Sequence, residues 1–148
     1  MNSISLTLNE ILELAKKTLL ANGCDDETAS ILSELIMKAE RDGSLSHGLF
    51  RLPSYVSGLK SGKINGKGKP EIKKISGSVI KVLGNNCLAP GVLNQGLPEL
   101  IKAAKENGIA VLAINNSHHM APMWPETEIV AEAGLVCFAC TSYKPAVA

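Results

Sequence analysis

Gly108 to His119 reads GIAVLAINNSHH, and this stretch sets the fold class. Ile109 to Ile114 is a continuous apolar run of strand length, suited to the interior of a sheet. Upstream, Val92 to Glu106 has helical spacing, with Pro98 as a blemish and Gly108 as the stop. Downstream, Pro122 to Ala133 predicts a further helix, and GLVCFACTSY, Gly134 to Tyr143, predicts a second buried strand. Helix followed by strand, twice, indicates an α/β layer. The histidines of NNSHH then fall just beyond a strand end, where sites in such sheets gather.

Working back towards the N-terminus, Asn85 to Gly91 (NNCLAPG) reads as a loop. EIKKISGSVIKVLG, Glu71 to Gly84, predicts two short strands around a turn at Ser76-Gly77-Ser78. Gly62 to Pro70 is Gly- and Lys-rich, an exposed connection. Leu8, Ile11, Leu12, Ala15 and Leu19 recur at helical spacing, with Thr7 or Asn9 as cap and Gly23 as terminator. Asp25 or Asp26 starts a second helix with Ile31, Leu32, Leu35, Ile36 and Ala39 on one face. Together these predict an αα-hairpin. The expected organisation is a helical segment over residues 1–62 and an α/β segment over 63–148. A buried strand so near Ala148 would leave an edge in need of a partner, so the expectation is the front part of a longer protein.

The totals narrow the function classes. The formal net charge is +1 and aromatic residues make up 3%, so neither a basic stripe nor a base-stacking platform for nucleic acid is expected. No apolar run approaches the roughly 20 residues that cross a bilayer. The first residues, MNSISLTLNEILELAKK, are amphipathic with early acids and do not resemble a secretory leader, which makes the cytoplasm the default location. Cys24, Cys87, Cys137 and Cys140 are too sparse for a disulfide framework. Cys137 and Cys140 form a C-x-x-C, but on a strand they face opposite sides and no second pair completes a zinc site. Packing is the expected role, and no metal is expected.

Asp42 to Gly62, DGSLSHGLFRLPSYVSGLKSG, carries the chemistry. If it is helical up to Ser61, His47, Arg51 and Tyr55 recur at intervals of four and share a face. Pro53 demands that the helix either kink or begin near Leu52. Ser46 can hydrogen-bond the His47 imidazole and fix its tautomer, and Arg51 offers a planar fork to a carboxylate. Acid, anion clamp and hydroxyl suit a small carboxylic acid that is oxidised or reduced at the neighbouring carbon. The bland reading is a solvated helix face. Asn115, Asn116, Ser117, His118 and His119 can donate and accept hydrogen bonds for a cofactor or substrate, or simply cap a strand-to-helix loop. Adjacent histidines diverge from a strand and do not easily share one metal. No G-x-G-x-x-G or P-loop is present, so any nucleotide is held in another way.

These residues, in this order, resemble the malate/L-lactate dehydrogenase-like family of NAD(P)-dependent oxidoreductases that lack a Rossmann fold. The resemblance rests on DGSLSHGLFRLPSYVSGLKSGKI, GIAVLAINNSHH and EAGLVCFACTSYKPAVA and covers nearly the whole chain. INNSHHMAPMWPETE looks most like the branch that reduces Δ1-piperideine-2-carboxylate and Δ1-pyrroline-2-carboxylate; Ala121 stands where many relatives carry glycine. The resemblance implies NADPH, with NADH as the alternative, a small carboxylate substrate, and a homodimer. It implies His47 as proton donor with Ser46 beside it in a relay, and Arg51 as the carboxylate ligand, with Tyr55 on the substrate side. It implies that His119, Met120, Ala121, Pro122 and Met123 line the cofactor site. The family's relay aspartate has no counterpart up to Ala148. Rival expectations are a dehydrogenase of 2-hydroxy acids such as malate, lactate or sulfolactate, and an inactive domain that only binds ligand or pairs with a second copy.

Overall fold

Thr7 closes a reciprocal cap on the first helix, α1 (Leu8–Ala21): its hydroxyl accepts from the Glu10 N–H at 3.2 Å, and the Glu10 carboxylate accepts from the Thr7 N–H at 2.8 Å. Gly23, at φ 94°, turns the chain, and Asp25 caps α2 (Asp26–Arg41) by accepting from the Thr28 N–H at 2.8 Å. The predicted αα-hairpin is therefore present. This computed structural model describes residues 4–118 and 121–141. After α2 come two short 3₁₀ turns, Leu45–His47 and Leu49–Arg51, then α3 (Leu52–Lys60). The remaining elements are β1 (Glu71–Lys74), β2 (Val79–Leu83), α4 (Ala89–Asn107), β3 (Val111–Asn115) and α5 (Pro125–Glu132). None of the helices is long and apolar enough to cross a membrane.

The sheet has the order β1-β2-β3, with β1 antiparallel and β3 parallel to β2. Ile80 pairs with Leu112 and Val82 with Ile114, so these four, the more buried apolar residues of the two strands, lie on one face. The α4 crossover covers that face through Val92 and Ala103. Gly96 permits the close approach, because a Cβ there would lie 3.0 Å from Leu112. A second cluster, Ile11, Ala15, Leu19, Leu32, Ile36, Leu52, Tyr55 and Leu88, joins the helical hairpin to α3 and to the start of α4. Leu88 is fully buried, and it is there that the helical part meets the sheet part.

Several expectations need correction. Leu45 to Ser61 is not one continuous helix, since it breaks at Gly48 (φ −83°, ψ −142°); of the two outcomes Pro53 allowed, the second holds, because α3 begins at Leu52 with Pro53 in its first turn, where a missing N–H costs nothing. His47, Arg51 and Tyr55 therefore do not share a helical face. Helix α4 starts at Ala89, three residues before the expected Val92, because Pro90 serves as a first-turn residue and not as a loop breaker. Pro98 is accommodated within α4 on its exposed side, where water can satisfy the carbonyl that loses its donor. Among the described residues β3 is an edge strand, with Val111 53% exposed. Leu135 to Thr141 forms no strand: Leu135, Cys137 and Ala139 are half-buried, Val136 and Phe138 exposed. The period-two alternation is present, but no neighbouring strand pairs with its backbone among the described residues. Core packing consequently does not explain Cys137 and Cys140; Cys24 and Cys87 are the buried thiols.

Candidate active site

His47 closes the first 3₁₀ turn, its N–H donating to the Ser44 carbonyl at 2.8 Å. The Ser46 hydroxyl lies 3.0 Å from its Nδ1. With Ser46 donating to Nδ1, the neutral ring carries its proton on Nε2. Burial, and then the nearby Arg51 charge, hold the imidazole below its ordinary value of 6.5. Both effects disfavour the imidazolium, and an anion beside it would reverse the second.

Arg51 closes the second turn. Its Nε donates to the Ser46 carbonyl at 2.8 Å, which fixes the guanidinium against the same peptide that leads into His47. No acidic side chain pairs with it among the described residues, so its terminal nitrogens remain for an anion. Imidazole and guanidinium are thus brought together by a break in the helix, not by helical periodicity. Tyr55, near enough to feel the Arg51 charge, is 2% exposed within the helical core, and burial pushes its phenol up to about 12 against the opposing effect of that charge.

The second histidine stretch forms the C-terminal rim of the parallel strand pair. Beyond β2 and β3 the ladder continues: Gly84 N–H to Asn115 O and Asn86 N–H to Asn116 O, both 2.8 Å, then His118 N–H to Cys87 O at 2.8 Å. The Ala89 N–H, at the start of α4, donates to the His118 carbonyl at 3.1 Å. Asn85, Asn86 and Asn116 all adopt positive φ, a region that asparagine tolerates better than most side chains. These asparagines shape the loop itself, which the polar composition alone did not reveal. His118 Nδ1 is buried without a partner among the described residues.

The two stretches are tied together at two points. His118 bridges to Leu88, which belongs to the same core cluster as Leu52 and Tyr55. At the surface, Arg41 pairs with Asp42 at 2.7 Å and holds its carboxyl below the usual range, with the Trp124 side chain near enough to add to that effect. Of the expected cofactor residues, His119 and Met120 fall outside the described residues. Ala121 and Pro122 line a small, partly open cavity of about 50 Å³ between α2, α4 and α5. Met123 and Ser117 line a separate groove of about 740 Å³ along β3 and α4. Glu126 borders both spaces, its Oε1 buried without a partner among the described residues, and burial pushes its carboxyl up. Glu126 was not singled out in the sequence, where it reads as an ordinary first-turn acid of α5. No group of three or more potential metal ligands occurs among the described residues.

The family model for malate/L-lactate dehydrogenase matches residues 6–148. The chain belongs to that family. Among curated relatives, the Δ1-pyrroline-2-carboxylate/Δ1-piperideine-2-carboxylate reductase of Pseudomonas syringae pv. tomato is 39% identical over 127 residues. That match covers 86% of this chain and 37% of the relative. The malate dehydrogenase of Pyrococcus horikoshii OT3 superposes with a TM-score of 0.83 at 27% identity, covering 88% of this chain and 38% of that one. The sulfolactate dehydrogenase of Methanocaldococcus jannaschii gives 0.77 at 30% identity, covering 85% and 37%. This malate/L-lactate dehydrogenase family chain therefore spans well under half the length of the relatives it matches, and it shares their α/β architecture over that span.

Proposed function

We propose that the protein takes part in the NADPH-dependent reduction of Δ1-pyrroline-2-carboxylate and Δ1-piperideine-2-carboxylate to L-proline and L-pipecolate. The observation that carries this reading is the Ser46–Arg51 loop, in which one peptide carbonyl holds the guanidinium while the neighbouring hydroxyl holds the imidazole. The names of the relatives at up to 39% identity supply the substrate class. Arg51 grips the substrate carboxylate with its terminal nitrogens and so orients the adjacent ring carbon. The imidazolium of His47 gives its proton to the ring nitrogen as negative charge builds there. Ser46 holds the ring by Nδ1 and steadies it through the transfer. Tyr55, from inside the core, backs the Arg51 segment and leaves carboxylate contact to Arg51.

A cleft of several hundred Å³ with a few unsatisfied polar atoms on its walls is typical of a cofactor site. The groove beside β3, at about 740 Å³ and bordered by Ser117, Met123 and Glu126, has that size and one such atom, Glu126 Oε1. Bound there, a reduced nicotinamide dinucleotide supplies the hydride equivalent. The protein's contribution is to hold it, orient it and exclude water. We assign the residues around His119 to Met123 to that side of the site, with Met123 facing the groove. Pairing of two copies, and function in the cytoplasm, are part of the same proposal.

The likeness to malate and sulfolactate dehydrogenases favours a second reading, oxidation of 2-hydroxy acids at the same loop. A substrate panel separates the two. With NADPH, kcat/KM for the cyclic imines should exceed that for oxaloacetate and pyruvate at least about tenfold, roughly 1.4 kcal/mol of transition-state discrimination. The reverse preference would move the protein to the second reading. The pH dependence carries a sign. A donor must be protonated, and the pKa of His47 lies below 6.5, so kcat/KM for reduction should fall as pH rises through a value under 6.5. A profile flat across that range excludes His47 as the donor.

A further inference from the structure

We propose that Glu40 is a positioning residue for the loop that carries His47 and Arg51, an inference that rests on reading that loop as the catalytic centre. Glu40 sits in the last turn of α2 and is half-buried. Its Oε1 accepts from the Leu49 N–H at 2.7 Å, nine residues further on. Leu49 opens the second 3₁₀ turn, so this N–H is one of the donors that such a turn leaves without an internal partner. The backbone carbonyl of Glu40 accepts from the Gly43 N–H at 3.2 Å, so one residue holds the loop at both its entry and its middle. None of the ion pairs among the described residues involves Glu40. Its carboxylate is spent on the loop backbone.

Gly48 explains why the carboxylate can reach that far. A Cβ at Gly48 would overlap Glu40 Oε1 and lie 2.5 Å from its Cδ and 2.8 Å from its Cγ. The glycine of Ser-His-Gly therefore leaves room for an acid from the preceding helix, and the two residues form one device. Gly48 is the joint between the turn that ends at His47 and the turn that ends at Arg51. Apart from Glu40, the link across this joint is the Arg51 Nε to Ser46 carbonyl bond. Without the carboxylate, the Gly48–Leu49 peptide loses its anchor, and the imidazole and guanidinium lose their fixed separation. Small misplacements of this kind are costly to catalysis.

The test compares Glu40→Gln, Glu40→Ala, Gly48→Ala and the double variant Glu40→Ala/Gly48→Ala. Readouts are steady-state kinetics with NADPH and Δ1-pyrroline-2-carboxylate, and the NMR titration of the His47 imidazole. Glu40→Gln keeps an oxygen for the Leu49 N–H and should stay within about threefold of wild-type kcat/KM. Glu40→Ala should lower kcat/KM on the order of 30-fold with NADPH affinity unchanged, and let the His47 pKa drift back towards its ordinary value. Gly48→Ala should be as damaging alone, yet add little on top of Glu40→Ala, because the colliding side chain is gone. Wild-type kinetics and titration in Glu40→Ala, additive losses in the double variant, or a Gln variant as impaired as the Ala variant would each overturn the proposal. Should the alanine variants fail to fold, Glu40→Met, which keeps the side-chain length but offers the Leu49 N–H no oxygen, takes the place of Glu40→Ala with the same expected loss, and wild-type kinetics and titration in it would overturn the proposal. A wild-type protein inactive on the cyclic imines would sink the proposed function, whereas the His47 titrations of the same variants would still decide the positioning role.

Discussion

His47→Ala should lower kcat for cyclic-imine reduction by about 10²–10⁴-fold, the usual contribution of a positioned general acid. The proton has no substitute source of similar placement: Ser46 is held to the ring it would replace, and the Tyr55 phenol is buried in the core with its pKa pushed up to about 12. Cofactor affinity should stay near wild type, because the groove bordered by Ser117 and Met123 does not include His47. Stopped-flow measurement of NADPH binding beside steady-state turnover checks both halves. A variant with unimpaired turnover removes His47 from the mechanism, and one that loses cofactor binding assigns it a different role.

Arg51→Ala should act on the other parameter. Two charge-assisted hydrogen bonds to a carboxylate are lost, so KM should rise on the order of 10²-fold, about 2.7 kcal/mol of substrate binding. Arg51→Lys should not restore it, since the guanidinium is used on two sides at once, Nε on the Ser46 carbonyl and the terminal nitrogens on substrate. Arg51→Ala should also let the His47 pKa rise, because the Arg51 charge is one of the causes that lower it. An unchanged KM would mean that the carboxylate is bound elsewhere.

The sequence was most legible where local chemistry decides. The Thr7 and Asp25 caps, the Gly23 and Gly108 stops and the hairpin around Gly77 all follow from side chains acting on their own backbone. Ser46, His47 and Arg51 were picked out correctly as neighbours, but by a wrong geometry. Arg51 and Tyr55 keep their helical spacing into α3, whereas the break at Gly48 takes His47 off that face, and Tyr55 is buried in the core. Nothing periodic announces that break, where a carboxylate from α2 occupies the space of a Cβ. Leu135 to Thr141 shows the converse: its alternation is real, yet a strand exists only by pairing, which one segment's composition cannot supply. Glu126 and His118 are conspicuous only as buried atoms without partners, a property of the folded chain.

The pairing of imidazole and guanidinium around one small acid can be seen directly. Tetrahydrofuran-2-carboxylate is an unreactive likeness of the cyclic imine whose ring oxygen accepts a hydrogen bond in place of the imine nitrogen, and a crystal structure of the protein with it and NADPH would locate every group involved. Both carboxylate oxygens should lie about 3 Å from the Arg51 terminal nitrogens and the ring oxygen about 3 Å from His47 Nε2. A carboxylate seated on other residues, with His47 turned away from the ring, would contradict that pairing.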